Sequence, residues 1–177
     1  MKNDQLLQFF FDRLNEHISV APALRLTIAE VLTIRHFRED RVVSSTLGDL
    51  HCVLSGFVIK VDEDDSILEF LPEGEFMFGT ALNDGANFIC KTDTTIATLS
   101  QNSILAILKE HVIFQLYMTI IVHIVLTKRQ IRSKLLAKPV RQRKELFYCM
   151  FPEVVQRRPM YEIASYLGSN PNYFGSI

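Results

Sequence analysis

The feature that most constrains this chain is the hydrophobic pattern between residues 34 and 100. Apolar residues occur there in short runs, about ten residues apart, separated by turns rich in Gly, Pro, Asp and Asn. The runs read RVVSS, HCVLSGFVIKV, SILEFL, EFMFGTAL, NFICK and TTIATL. Short strands at this spacing are typical of antiparallel sheets folded into a sandwich or roll. The sequence therefore predicts a sandwich or roll of antiparallel β-sheet, called the roll below.

Helical periodicity returns on both sides of the predicted roll. Residues 3–17 and 24–33 precede it with apolar side chains at helical spacing. A short helix is predicted over 103–109, with Asn102 as its N-cap. The chain is therefore expected to have an α+β fold in which helices flank the roll.

Residues 110–136 are predicted to form one long helix, which ends before Pro139 because proline disfavours helical geometry in the preceding residue. Between 112 and 126 this helix is apolar around most of its circumference. One flank can cover the roll, and the same helix of a second subunit can cover the rest. The sequence therefore predicts a homodimer. The apolar run is shorter than the roughly 20 residues needed to cross a bilayer, so no membrane partner is expected.

The charge is distributed unevenly along the chain. Residues 1–127 hold 9 Lys+Arg against 17 Asp+Glu, a balance of −8, and residues 128–177 hold 10 against 3, a balance of +7. A protein that meets a polyanion at one end needs this asymmetry. DNA is therefore the expected partner of the C-terminal part, although a basic tail can also serve solubility alone.

The cysteines are scattered, without the paired spacing of a metal site or a disulfide framework, and the N-terminus has no signal-peptide pattern. These features predict reduced thiols in a cytoplasmic protein. No metal ligand, cofactor or catalytic residue is assigned.

The last segment carries the spacing of a helix-turn-helix. Ala164 supplies the small residue where two crossing helices touch, and Gly168 follows at the turn. Pro171 suits the first position of the second helix. The expected inward positions hold Ile163, Leu167, Phe174 and Ile177. One position departs from the pattern, because Ser169 stands where an apolar residue is usual.

The whole chain, over residues 5–177, resembles the cyclic-AMP receptor protein/Fnr (Crp/Fnr) family of transcription regulators, and its shorter Bacteroidetes-like members most. The matching stretches are RHFREDRVVSSTLGDLHCVLSGFVIKVDEDD, LPEGEFMFGT and IASYLG. The resemblance implies a sensor domain with a cyclic-nucleotide-binding-like antiparallel β-roll of the jelly-roll type over 1–109, a dimerisation helix over 110–137 and a DNA-binding helix-turn-helix over 138–177. It also implies a homodimer that binds DNA and has RNA polymerase as a further candidate partner.

The resemblance places the effector pocket near Phe78, Gly79, Thr80, Asn87 and Lys91. Nucleotide-binding relatives have a Gly-Glu pair there, followed by an arginine that neutralises the cyclic phosphate. This chain has Gly79-Thr80 instead, and no arginine occurs between Arg41 and Arg129. We therefore expect that cyclic AMP does not bind in the usual way and that any effector is another small molecule.

The reading helix departs from the family as well. The position where relatives carry a guanine-reading arginine holds Ser176, and the helix is expected to be truncated at Ile177. Groove-facing groups are expected from Asn172, Tyr173 and Ser176. Phosphate contacts are expected from the basic flank, which holds Arg141 and Arg143.

Two alternatives stay open beside a DNA-binding regulator. The first is a degenerate dimeric sensor that does not read DNA specifically. The second, which the sequence favours less, is a cupin-like metalloenzyme. Cupins require a His-x-His pair with a further histidine and a carboxylate, whereas His36 and His51 stand alone here and are read as structural. The expectation is therefore a protein that is not an enzyme.

Overall fold

The computed structural model describes residues 3–79 and 86–177. The helices in these ranges are α1 (Asn3–Asn15), α2 (Pro22–Val31), α3 (Gln101–Glu110), α4 (Phe114–Leu136), α5 (Val140–Met150), α6 (Pro152–Arg157), α7 (Met160–Tyr166) and α8 (Pro171–Ser176). The strands are β1 (Thr33–Phe37), β2 (Leu50–Ser55), β3 (Phe57–Val61), β4 (Ile67–Pro72), β5 (Phe76–Phe78), β6 (Asn87–Cys90) and β7 (Thr94–Leu99).

The strands pair in two antiparallel sheets, ordered β1-β7-β2-β5 and β4-β3-β6. The sheets enclose an apolar core, to which both contribute: Val43, Val53, Val58, Leu71, Met77, Phe88, Cys90 and Ile96. This arrangement confirms the predicted antiparallel roll followed by helices. Most of the short apolar runs form strands because their alternate residues can be buried on this inner face. The run RVVSS instead makes only an isolated bridge, between Val42 and Ile89.

The N-terminal helices and the first part of α4 cover the outer face of the four-stranded sheet. β2 sends Leu50, Cys52 and Leu54 to this side, while Val53 points into the roll. Phe10 and Phe11 of α1 are almost fully buried against them. Because β2 is buried on both faces, its sequence reads as a continuous apolar run.

The helix after the roll starts earlier than the sequence indicated. The Ser100 hydroxyl accepts a hydrogen bond from the Ser103 N–H at 3.1 Å, so Ser100 is the N-cap of α3 and the prediction of Asn102 was wrong. The long helix starts at Phe114, four residues later than predicted. Hydrogen bonds from Phe114 N–H to the His111 carbonyl and from Gln115 N–H to the Val112 carbonyl make a tight turn ahead of it.

The outer face of the three-stranded sheet is covered by the C-terminal helices. Phe57, Ile59 and Val61 alternate with inward residues on β3 and pack against this helical layer. The buried residues of that layer are Leu135, Phe147, Val154, Ile163, Ala164, Tyr166, Leu167 and Phe174. The segment that was predicted to bind DNA is therefore docked on the sensor roll.

Candidate functional site

The predicted effector segment begins at the end of β5. Phe78 is half-buried there, and the Gly79 N–H donates to the Asp49 carbonyl at 2.8 Å. A Cβ at position 79 would overlap the Thr46 carbonyl oxygen, so only glycine fits this close approach of two backbones. Thr80 lies outside the described residues.

The structure does not bring the other two effector candidates into the roll. Asn87 pairs with Val61 and lies on the outer face of β6, because its neighbour Phe88 points inward. The Lys91 ammonium contacts Asp40 at 3.3 Å and Glu162 of α7 at 3.7 Å. Lys91 therefore lies at the boundary between the roll and the C-terminal helices.

Two polar side chains that the sequence reasoning did not select lie inside the roll. Lys60 is 4 % exposed, and its ammonium lies 5.6 Å from the centre of the Phe88 ring. His51 is 1 % exposed; its Nε2 lies 2.7 Å from the Ser45 hydroxyl and its Nδ1 2.9 Å from the Thr98 hydroxyl. Strand alternation was the available signal, since Lys60 is two residues from the inward Val58.

Burial controls the protonation of His51. It lowers the pKa of His51 to about 4, although the nearby Asp49 carboxylate acts in the opposite direction. The imidazole is therefore neutral at pH 7 and links two hydroxyl groups inside the roll. Together with the buried Lys60, it makes part of the interior of the roll polar.

The C-terminal helix pair has the geometry that the motif predicted. Gly168 has a φ of +61°, and the N–H groups of Gly168 and Ser169 donate to the carbonyls of Ser165 and Ala164. These two bonds form a Schellman cap, which ends α7 and turns the chain towards α8. Ser169 is tolerated because it is only half-buried. Three of the predicted inward residues are fully buried: Ile163, Leu167 and Phe174.

The groove-facing candidates lie together on α8. Asn172, Tyr173 and Ser176 are all exposed, and Tyr173 is 54 % exposed. The Asn170 side chain caps α8 by accepting from the Asn172 N–H at 2.9 Å. This exposed surface is the part of the helix pair that faces away from the roll.

Most of the basic side chains after residue 127 are engaged within the fold. Arg143, one of the two predicted phosphate contacts, donates to the carbonyls of Lys138 and Leu167, and is half-buried. Arg141 remains 80 % exposed, with a surface contact to Glu145 at 3.3 Å. The other engaged cations are Lys128, Arg129, Arg132, Lys144, Arg157 and Arg158.

Several of these cations hold the C-terminal helices against the roll. Arg132 donates to the Tyr166 carbonyl at 3.0 Å and to the Ile67 carbonyl at 3.2 Å, so one guanidinium joins α7 to β4. The Ile67 N–H in turn donates to the Ser165 hydroxyl at 3.0 Å. These hydrogen bonds join α7 to the backbone of β4 directly and through Arg132, and they therefore define the docked position of α7.

The geometry defines the class of fold: a cyclic-nucleotide-binding-type roll followed by a long helix and a helical region, as in Crp/Fnr regulators. The chain is similar to a protein described as a Crp/Fnr-family transcriptional regulator from Eubacterium rectale, at 13 % identity and a TM-score of 0.69, over 94 % of this chain and 84 % of that one. The CooA protein of Carboxydothermus hydrogenoformans, in mutant form, matches at 16 % identity and a TM-score of 0.67, over 94 % and 81 %.

A third similar structure is CLP of Xanthomonas campestris, described as a c-di-GMP-responsive global regulator, at 17 % identity and a TM-score of 0.64, over 88 % and 89 % of the two chains. No protein-family model matches this chain, and no curated protein matches its sequence. Structural likeness at these identities shows a shared fold. The predicted resemblance to Crp/Fnr regulators is therefore confirmed for the architecture.

The described ranges lack two kinds of feature. No helix within them is both long and apolar enough to cross a membrane. Residues 3–79 and 86–177 also hold no group of three or more His, Cys, Asp and Glu side chains placed to bind a metal ion. His36 and His51, the two histidines considered for a cupin site, instead contact threonine hydroxyls.

Proposed function

We propose that this chain is the subunit of a dimeric, DNA-binding transcription regulator of the Crp/Fnr type. The observation that carries the proposal is the helix pair α7–α8, which has a Schellman-capped turn and presents Asn172, Tyr173 and Ser176 on its exposed side. A helix pair of this kind can place its second helix in a DNA groove. The Crp/Fnr-type architecture supports the same function.

The proposed dimer forms through α4. Phe114, Tyr117 and Ile121 face the roll and are buried, whereas Leu116 and Leu126 on other faces are 46 % and 48 % exposed. Val112 and Ile113, just before the helix, add further exposed apolar surface. A second copy of α4, packed about a two-fold axis, would remove this surface from water.

The effector of the proposed regulator is not cyclic AMP bound in the usual way. The inner face of the roll is lined mainly by apolar side chains, and no arginine occurs between Arg41 and Arg129 to neutralise the cyclic phosphate. The buried Lys60 offers a point charge in place of a bidentate fork. Calorimetric titration with cyclic AMP is expected to show no micromolar binding.

A specific observation favours a second candidate, a dimeric sensor that does not read DNA specifically. Eight of the ten basic residues after position 127 contact carbonyls or carboxylates of the chain itself, Arg141 only through an exposed pair with Glu145. This use of the cations reduces the charge that is available for phosphates. The two candidates differ in whether binding depends on the DNA sequence.

The deciding experiment compares two variants in DNA-binding titrations over a library of duplexes. Arg141→Ala should weaken binding to all duplexes alike, since Arg141 is exposed and can contact only phosphate by charge. Tyr173→Ala should change the ranking of duplexes, because Tyr173 lies on the exposed side of α8. If neither the wild type nor the variants rank duplexes differently, the sensor without specific readout is the better description.

A further inference from the structure

A cavity of about 230 Å³ lies where the roll, α4 and the C-terminal helices meet. We call it the seam cavity. Its floor is aromatic, and the ring centroids of neighbouring pairs lie 5.0–6.0 Å apart. The rings are Phe70 of β4 and Phe147, Phe151 and Tyr166 of the helical region. The cavity is therefore built jointly by the sensor roll and the segment proposed to bind DNA.

The rim of the seam cavity has more negative than positive groups. Glu69, Glu75 and Glu153 line it, against one ammonium, that of Lys128. Glu69 pairs with Arg129 at 2.9 Å, and Glu75 pairs with Lys128. The Glu153 carboxylate is exposed and interacts electrostatically with the Lys128 ammonium, but no ion-pair contact joins it to a described residue. A cation from outside can therefore still reach this carboxylate.

The hydroxyl of Tyr166 is a second polar group at the cavity. The Tyr166 side chain lines the cavity, and the residue is 6 % exposed. No hydrogen bond joins this hydroxyl to another described residue. Among the described residues, every side-chain oxygen that is fully enclosed has a hydrogen-bond partner. The Tyr166 hydroxyl is therefore not fully enclosed, and it is open to the cavity that its side chain lines. Burial raises the pKa of Tyr166 to about 12, so the group stays neutral and can donate or accept a hydrogen bond.

We propose that the seam cavity binds a small organic cation, namely an amine carried on an aromatic body. The aromatic floor takes the apolar body, and the ammonium lies near the Tyr166 hydroxyl and the Glu153 carboxylate. At about 230 Å³, the cavity is smaller than the roughly 300–1,000 Å³ of sites for drug-sized ligands, so the ligand is small. An anion of the same shape would meet the carboxylate of Glu153 and those of Glu69 and Glu75, which are paired with Arg129 and Lys128.

Binding at this place has a structural consequence. The walls belong to both the roll and the C-terminal helices, so the ligand contacts both only when the helices are docked. A ligand shifts an equilibrium by its difference in affinity for the two states. An amine in the seam cavity therefore stabilises the docked position. This inference does not depend on DNA binding.

The test is a direct titration of the full chain with tryptamine. Because the protein has no tryptophan, indole fluorescence reports only the ligand. We expect saturable binding at one site per chain, and binding of indole-3-acetate, the anionic counterpart, that is weaker by at least about tenfold because like charges meet at the rim. Equal affinity for the amine and the anion, or no saturation with millimolar tryptamine, would overturn the proposal.

Matched variants locate the site. Glu153→Gln should weaken tryptamine binding roughly threefold, as loss of an exposed charge pair does. Tyr166→Phe should weaken it roughly fivefold by removing one hydrogen bond. Glu145→Gln, an exposed carboxylate of α5 outside the cavity, should leave the affinity unchanged. The unfolding midpoint of each variant is measured in parallel, and an equal loss in Glu145→Gln and Glu153→Gln would contradict the location.

Discussion

At the scale of single residues, His51 makes the interior of the roll sensitive to acid. The side chain is 1 % exposed and is held between the hydroxyls of Ser45 and Thr98. Burial lowers its pKa to about 4, against an ordinary value of 6.5. Below pH 6.5 the unfolded chain takes up a proton that the folded chain resists, so the stability that His51 contributes is lost as the pH falls towards 4.

The difference between these pKa values corresponds to about 3 kcal/mol of unfolding free energy between pH 7 and pH 4. We expect His51→Gln to flatten the pH dependence of stability within this window. His17→Gln, which changes an exposed histidine, should leave the wild-type profile intact. Chemical denaturation at half-unit pH steps measures the effect. Parallel profiles for wild type and His51→Gln would show that His51 does not titrate as described.

The residues around the predicted effector pocket show how far sequence reasoning reaches at this scale. The resemblance located Gly79 at a position where only glycine fits. It also selected Asn87 and Lys91, which the structure places on the outer side of the roll. The alternation of β6 separates Asn87 from Phe88, but which of the two faces inward depends on how the sheets and C-terminal helices pack. The sequence of β6 alone therefore does not show which of these two side chains faces inward.

At the scale of elements, α4 combines two faces with different partners. The helical period of 3.6 residues and the apolar run predict α4 from the sequence. The structure identifies the covered face of this helix by the burial of Tyr117, Ile121 and Val125. The predicted start of α4 lies too early in the chain, because a turn whose hydrogen bonds join residues three apart precedes Phe114. Propensity does not distinguish such a turn from the first turn of the helix.

The exposed face of α4 gives a prediction about association. Leu116→Glu should convert the proposed dimer to a monomer, because a charge would be buried against its symmetry mate. Leu26→Glu, at a leucine of α2 that is 67 % exposed, is the matched control and should keep the wild-type mass. Light scattering at micromolar concentration distinguishes the two. A monomeric wild type, or dimeric Leu116→Glu, would argue against an interface through this face.

At the scale of the whole molecule, the charge asymmetry serves the chain's own packing. The charge balance is −8 before residue 128 and +7 after it, and this asymmetry alone predicts a polyanionic partner. In the structure, Arg129 and Lys128 pair with carboxylates of the roll, while Arg132 and Arg157 donate to its carbonyls. A count of charges does not say where the side chains lie in the fold. The sequence alone therefore could not tell whether these Lys and Arg side chains contact groups of the chain itself or the phosphates of a DNA partner.

Arg132 is the most informative of these contacts. Arg132→Lys keeps the charge but cannot donate to the Tyr166 and Ile67 carbonyls with one planar fork, so it should cost about 1–3 kcal/mol of stability. Faster amide exchange in α7 should accompany the loss. Lys134→Ala, at a neighbouring exposed position, is the control and should change neither quantity. Unaltered exchange in α7 would mean that Arg132 does not hold this helix on the roll.

The central claim, that this is a dimeric DNA-binding regulator, is tested most directly by the salt dependence of DNA binding, measured by fluorescence anisotropy. Lys134, Lys138 and Arg141 are exposed and, unlike the exposed Arg129 and Arg157, contact no described residue of the roll, so a dimer offers six such cations. If each neutralises one phosphate, the logarithm of the binding constant should fall with the logarithm of salt concentration with a slope of roughly −5. We predict that slope, with small differences between duplexes. Absence of binding at low salt would contradict the claim, and salt-tolerant nanomolar binding to one sequence would contradict its electrostatic basis.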